Sequence, residues 1–230
     1  MTRERPPGAQ QWVPDDADLT VLREAVHDCR GCGLYELADQ AVFGEGPEDP
    51  ALMLVGEQPG DREDREGHPF VGPAGRVLDD ALAEVDVDRS TVYVTNAVKH
   101  FKFTHRASSG KRRIHQKPNQ TEITACNPWL RAELARLRPE VVVGMGATAA
   151  TALLGRGVRL TEQRGRRLAL PVPEGDEGDE DRRAEPPPTV VLTVHPSSVL
   201  RAPDRKEAYR GLVRDLRAAA KAYTSRSSGS

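Results

Sequence analysis

A carboxylate, an aromatic ring and an imidazole each stand next to a glycine or proline turn in this 230-residue chain. These are Glu57, Phe70 and His195, and turns of this kind let the backbone approach a ligand closely. His115 adds a second imidazole inside a cationic loop. Together these groups suit cleavage of an N-glycosidic bond, which needs donors facing the leaving base and a carboxylate facing the sugar. A nucleophilic histidine would change the product from a free sugar to a covalent adduct.

A second set of residues has the types and spacing of metal ligands. Three cysteines are too few for a disulfide framework, but Cys29 and Cys32 have a chelating Cys-x-x-Cys spacing. Cys126 is available from a distant predicted helix, and His100 can complete a four-ligand site. Ligand chemistry leaves open an iron–sulfur cluster, a zinc ion and ordinary thiols at a helix end.

Charge is distributed unevenly along the chain. The net charge is −2, yet the segment 174–185 alone carries −5, so the remainder carries +3. Residues 99–117 contain seven Lys or Arg and no acid, which favours binding to phosphate over a purely solvated loop. No apolar run is long enough to cross a bilayer and no signal peptide is evident, so we expect a cytoplasmic protein with no membrane partner.

Apolar runs typical of strands alternate with helical patterns, which predicts an α/β fold. We expect a three-layer α/β/α sandwich with a central, mainly parallel four-stranded sheet. In such sheets ligands bind beyond the carboxyl ends of the strands, so Glu57, Asn96 and His195 should share one crevice. The predicted strands are 51–55, 91–95, 141–143 and 190–194, and the main predicted helices lie near 75–84, 121–137, 147–153 and 205–219.

Composition also predicts the domain boundaries. Residues 1–15 and 223–230 lack periodicity and are expected to be disordered tails. One domain spans 16–222, and its segment 171–188 is an acidic, proline-rich insertion with nothing to pack.

The motifs together resemble the uracil-DNA glycosylase superfamily, most closely its iron–sulfur branch, from Cys29 to about Leu216. That branch contains Gly-Glu-Ala-Pro-Gly, Pro-Phe-Val-Gly-Pro-Ala-Gly, Asn-Val-Val-Lys-Cys and His-Pro-Ser segments. Here they stand at 56–60, 69–75, 96–100 and 195–197. Gln58 replaces a small residue and His100 replaces the third cluster cysteine. Both departures, with the basic loop 111–115, are similar to the UdgX type, whose members stay covalently attached to uracil-containing DNA after base removal.

This resemblance implies a [4Fe–4S] cluster held by Cys29, Cys32, His100 and Cys126, with zinc as the alternative. It also implies DNA as partner, single-stranded or with the uracil flipped out of the duplex, and a protein that acts as a monomer.

The resemblance further assigns a role to each site residue. His115 attacks the sugar, and Glu57 orients it and accepts its proton. Phe70 stacks on the flipped base, Asn96 reads its polar edge, and His195 donates to a base oxygen. The remaining expected contacts are Gln58 to DNA or the sugar, Ser197 to the substrate, and Lys111, Arg112 and Arg113 to phosphates.

Three other functions remain open from the residues. The first is a hydrolytic glycosylase that releases its product over many cycles. The second is a non-catalytic protein that binds uracil or damaged DNA. The third is a nucleotide-binding α/β protein, because the glycine turn 144–146 resembles a phosphate-binding turn, although the chain has neither a full dinucleotide fingerprint nor a phosphate-loop lysine.

Overall fold

A computed structural model describes residues 6–105, 113–171 and 186–227. Its main sheet has five strands in the order β2-β1-β5-β7-β6, and a separate two-stranded sheet is formed by β3 and β4. The first four strands of the main sheet are parallel, and β6 is antiparallel to β7. The strands are β1 Leu52–Gly56, β2 Val92–Asn96, β3 Phe103–His105, β4 Arg113–His115, β5 Val141–Met145, β6 Arg167–Ala169 and β7 Thr189–Thr193.

Helices cover both faces of this sheet, which confirms the three-layer α/β/α fold. Alternate residues of each strand face opposite sides, so Met53 and Val55 belong to one apolar cluster and Leu52 and Leu54 to the other. Helices α4 and α5 pack on the first face, and α3 and α8 on the second. The helices are α1 Leu19–Ala25, α2 Asp61–Glu66, α3 Pro73–Ala83, α4 Gln120–Leu137, α5 Ala147–Leu154, α6 Leu160–Gln163, α7 Pro196–Arg201 and α8 Arg205–Ser227.

The fold extends further in three places than the sequence predicts. The short β6 adds an antiparallel edge to the four parallel strands. Ala9 is buried and its N–H donates to Ala125 O at 2.8 Å, so the described part of the segment 1–15 packs on α4 rather than forming a free tail. A single short 3-10 helix there gives no periodic signal. At the other end α8 continues to Ser227, past the predicted tail boundary at 223.

The expected acidic insertion joins β6 to β7. Leu170 N–H donates to Pro188 O at 3.1 Å, which closes the base of the segment. Most of the insertion, residues 172–185, lies outside the described residues. Within the ranges that are described, no helix is both long and apolar enough to span a membrane.

A fully buried ion pair fastens the end of β2 to α4. Lys99 Nζ lies 2.5 Å from Glu133 Oε2, and neither side chain is exposed to solvent. Tyr93 and Thr95 donate their hydroxyls to Glu133 Oε1 at 3.0 and 2.8 Å. Lys99 Nζ also donates to Asn96 O at 2.9 Å. Because buried charges must be paired and hydrogen-bonded, this network constrains the backbone that carries Asn96.

Candidate active site

The carboxyl edge of the main sheet brings the predicted site residues together. Glu57 directly follows β1, Asn96 ends β2, and His195 lies two residues beyond β7. Gly56 and Asn96 are partners in the β1–β2 register, so the Glu57 turn lies beside the end of β2. Parallel pairing of these strands places all three side chains at one edge, as expected for a ligand crevice in such a sheet.

Gly56 leaves open the space between Phe70 and Asn96. A Cβ on Gly56 would lie 2.7 Å from Phe70 Cζ and would collide with Asn96 Oδ1. Phe70 has φ 59, a left-handed conformation that is rare for an aromatic residue and is found where a site requires strain. A Cβ on Gly75 would collide with Phe70 O, so the turn depends on that glycine. Phe70 and the Asn96 amide therefore both pack directly over Gly56, at the end of β1.

Asn96 presents an unpaired acceptor to this space. Its side chain is buried, and its Oδ1 has no hydrogen-bond partner among the described residues. A buried amide oxygen without a donor is rare in proteins, so Asn96 Oδ1 is free to accept a hydrogen bond from a ligand or a water molecule.

His195 packs against Phe70, and its surroundings keep the imidazole neutral. Its ring stacks on Phe70 with centroids 6.0 Å apart and planes 28° apart. Ser197 N–H donates to His195 Nδ1 at 3.2 Å, so Nδ1 is the acceptor and the ring proton lies on Nε2. Burial, with smaller effects from His115 and Arg201, lowers the pKa of His195 to about 4. His195 is therefore a neutral Nε2–H donor at physiological pH.

Ser197 differs from the expectation that it contacts substrate. Its hydroxyl lies 2.9 Å from His195 Nδ1, the atom that its backbone N–H also reaches. This arrangement caps the start of α7 and orients the imidazole, so Ser197 is a positioning residue.

Glu57 links the sheet to the histidine of the basic loop. Its Oε1 lies 3.3 Å from His115 Nε2, and its Oε2 accepts a 2.6 Å hydrogen bond from Thr148 Oγ1. Burial lowers the pKa of His115, the charge of Glu57 opposes that shift, and Arg201 adds to it. The net direction favours an unprotonated ring, which is the nucleophilic form.

Gln58 anchors the hairpin formed by β3 and β4, which carries His115, and its expected contact with DNA or the sugar stays a prediction. The side chain is only 6% exposed. Its Nε2 donates to Lys102 O and Gln116 O at 3.2 and 3.1 Å, and its Oε1 accepts from Lys102 N–H at 3.2 Å. One amide thus bridges the residue before β3 and the residue after β4.

Arg113 anchors the same hairpin, and its expected role as a phosphate ligand stays a prediction. Its guanidinium side chain is 7% exposed and contacts the carboxylates of Asp61, Asp64 and Asp39. Nη1 lies 2.5 Å from Asp64 Oδ2, and Asp64 is fully buried. These carboxylates occupy the donors that a phosphate would need. Lys111 and Arg112 lie outside the described residues.

A family model for the uracil DNA glycosylase superfamily matches residues 43–217. The chain belongs to that superfamily. The match covers the sheet, the pocket and both site histidines, and it confirms the resemblance found from the motifs.

Individual relatives carry the same family name. The chain is 34% identical over 186 residues to the type-4 uracil-DNA glycosylase of Pyrobaculum aerophilum, over 81% of this chain and 86% of that protein. It is 35% identical to the type-4 uracil-DNA glycosylase of Thermotoga maritima, over 64% of this chain and 72% of that protein. For the type-4 uracil-DNA glycosylase of Sulfurisphaera tokodaii the identity is 36%, over 56% of this chain and 54% of that protein.

The three cysteines of this glycosylase-superfamily chain are buried: Cys126 belongs to α4, whereas Cys29 and Cys32 lie in the segment before β1. Trp129 Nε1–H donates to Cys29 Sγ at 3.3 Å, and Lys99 N–H donates to Cys126 Sγ at 3.2 Å. Burial, followed by weaker effects that include the other cysteines, raises the pKa of Cys32 to about 11 and that of Cys126 to about 12. These two thiols are therefore held in their neutral form unless a metal group binds them.

His100 lies in the same buried region, directly after Lys99, whose N–H contacts Cys126. Burial lowers the pKa of His100 to about 4, with Arg30 contributing, so the ring is in the neutral form that binds metals. In the described part of the chain no three His, Cys, Asp or Glu side chains converge as the ligands of one metal ion do.

Sequence reasoning missed two groups of functional contacts. Thr148, which holds Glu57, lies just after the glycine turn 144–146 that resembled a phosphate-binding turn. Two of the three aspartates around Arg113, Asp61 and Asp64, lie in the acidic first turn of α2, which by composition alone is a solvated helix face. Only the contacts in the folded protein distinguish these residues from an ordinary helix threonine and from solvent-exposed aspartates.

Arg113→Lys tests whether the carboxylate cluster fastens the hairpin. A lysine ammonium cannot bridge three carboxylates as a guanidinium does. Losing charge-assisted hydrogen bonds should make backbone amides of residues 103–105 and 113–116 exchange hydrogen more than about tenfold faster. Arg159→Lys, which alters an exposed ion pair with Glu162, is the control and should leave the hairpin unchanged. Unchanged hairpin exchange in Arg113→Lys would show that the anchor lies elsewhere.

Proposed function

We propose that this protein excises uracil from DNA and that His115 then bonds to the sugar from which the base has left. The names of the relatives support uracil excision. One observation carries the capture step: His115 Nε2 lies 3.3 Å from Glu57 at the pocket, where a hydrolytic glycosylase needs its attacking water.

The pocket accounts for uracil recognition. A uracil inside duplex DNA is inaccessible, so the enzyme takes a single strand or a flipped nucleotide. Phe70 stacks on the ring, an interaction worth about 1–3 kcal/mol per base. Asn96 Oδ1, unpaired among the described residues, accepts the ring N–H that uracil has and cytosine lacks.

His195 stabilises the departing base. Breaking the glycosidic bond leaves negative charge on uracil, and a preorganised donor facing that charge lowers the barrier. Because Ser197 N–H occupies His195 Nδ1, the Nε2–H is available to donate to a uracil oxygen. A neutral donor keeps its proton while the base leaves as an anion.

His115 completes the reaction as the nucleophile. The bond from the anomeric carbon to uracil breaks with its electron pair remaining on uracil, and the Nε2 lone pair forms a new bond to that carbon. The reacting ring carries its single proton on Nδ1. A doubly protonated ring would first pass its Nε2 proton to Glu57 Oε1, which then releases that proton to water. The alkylated imidazolium then loses its Nδ1 proton to water, and the uracil anion takes a proton from water. Neutral N-alkyl imidazole is a poor leaving group, so the complex persists.

We also propose that Cys29, Cys32, His100 and Cys126 hold a [4Fe–4S] cluster. Their burial and the N–H groups directed at two of the sulfurs suit such a group, because hydrogen bonds to ligating sulfur tune a cluster. The cluster would cross-link the N-terminal segment, the end of β2 and α4. We assign it no chemical step.

The central prediction is a heat-stable complex with DNA. Incubation with single-stranded DNA containing one uracil should give a band that migrates slowly on a denaturing gel and survives boiling. His115→Ala should lose that band, while water can still enter the space and release uracil. His105→Ala, on the neighbouring strand of the hairpin, is the matched control and should keep the band.

Each rival function predicts a different result in this assay. Free abasic product over many cycles, with no shifted band, would identify a hydrolytic glycosylase. Binding without uracil release would identify a reader of damaged DNA. A band that persists in His115→Ala would place the nucleophile on another residue.

The rate of adduct formation should depend on the protonation of His115. Its pKa lies below the ordinary value of 6.5, so the ring is neutral above that pH and the rate should be level there. Below its pKa the rate should fall about tenfold per pH unit, because a protonated ring has no free lone pair. The rate of adduct formation should be measured on denaturing gels under single-turnover conditions between pH 4 and pH 8, a window of about four units. A rate that rises with acidity would contradict a histidine nucleophile.

The metal assignment can be checked without measuring activity. Protein purified without oxygen should contain iron and inorganic sulfide in equal amounts and should absorb visible light. Cys126→Ser should remove most of the iron and destabilise the fold, because metal binding is linked to folding. Zinc without sulfide in the wild-type protein would rule out the cluster.

A further inference from the structure

We propose that Thr148 is a positioning residue that aligns the Glu57 carboxylate for capture by His115. This inference rests on the proposed function and adds to it a residue outside the four sequence motifs. Its basis is the 2.6 Å hydrogen bond from Thr148 Oγ1 to Glu57 Oε2, across 91 residues of sequence.

The two oxygens of Glu57 have different partners. Oε2 accepts from Thr148, and Oε1 lies 3.3 Å from His115 Nε2. A carboxylate terminal torsion is broad and roughly two-fold, so one fixed oxygen is needed to aim the other. Thr148 is 1% exposed, so no solvent competes for its hydroxyl.

The local backbone explains why a threonine reaches Glu57 from this position. Thr148 is the second residue of α5, which begins after Gly146, where φ is 92. Gly146 N–H donates to Thr193 O at 2.8 Å, so the start of α5 is tied to the end of β7. A Cβ on Gly146 would lie 3.2 Å from His195 Cβ. The glycine turn therefore places the start of α5 beside the segment that carries His195, and from there Thr148 reaches Glu57.

The start of α5 also favours a negative charge at this point. Unpaired backbone N–H groups and the helix dipole stabilise an anion at a helix N-terminus. Thr148 adds a directional hydrogen bond to that field. Glu57 is thus held with one oxygen toward α5 and the other toward the nucleophile.

Removing only the hydroxyl tests the proposal. Thr148→Val keeps the shape and should slow formation of the heat-stable adduct at least tenfold. Thr148→Ser restores the hydroxyl and should recover the rate to within about threefold of wild type. Thr151→Val is the matched control on the same helix, because the Thr151 hydroxyl donates to Ala147 O instead. That control should leave adduct formation unchanged.

A double-mutant cycle separates positioning from a general effect on stability. If Thr148 acts through Glu57, Thr148→Val should cause no further slowing in a Glu57→Gln background. An equal slowing in both backgrounds, or a loss of adduct that follows a fall in melting temperature alone, would overturn the proposal. Unchanged adduct formation in Thr148→Val while wild type still forms adduct would do the same. Absence of adduct in wild type would reject the capture mechanism itself, so the two failures are distinguishable.

Discussion

His115 reaches the pocket because a two-stranded hairpin outside the main sheet is fastened to it. The hairpin strands each contain three residues, and backbone pairing that short cannot fix a side chain by itself. Gln58 forms hydrogen bonds with the residue before β3 and the residue after β4, and Arg113 contacts three aspartates. Glu57, the residue before Gln58, contacts the imidazole of His115. The same turn that supplies the carboxylate therefore also fixes the position of its partner.

The remaining chemistry follows from the carboxyl edge of a parallel sheet. β1, β2 and β7 each end next to one functional group, and the pocket lies between them. Burial keeps both imidazoles toward their neutral forms, but their contacts give them different roles. His195 has its Nδ1 occupied and donates from Nε2, whereas His115 has Nε2 beside a carboxylate. The two imidazoles therefore differ in which ring nitrogen is occupied.

The sequence predicts the four parallel strands and the shared sheet edge of Glu57, Asn96 and His195, because apolar runs followed by polar turns mark strand ends. It predicts neither the order of the strands in the sheet nor the fifth strand, β6. It does not predict what Gln58 and Arg113 contact. Their partners lie 44 to 74 residues away, and an anchoring arginine has the same residue type as one that binds phosphate. Composition also misses the packing of Ala9, because one short turn has no periodicity.

The most direct test of the account is mass spectrometry of the protein after reaction with uracil-containing DNA and digestion by nuclease and protease. The account predicts that the peptide containing His115 gains the mass of a deoxyribose remnant, with fragment ions placing it on that histidine. An unmodified His115 peptide from protein that has released uracil, or the same mass on another residue, would contradict it.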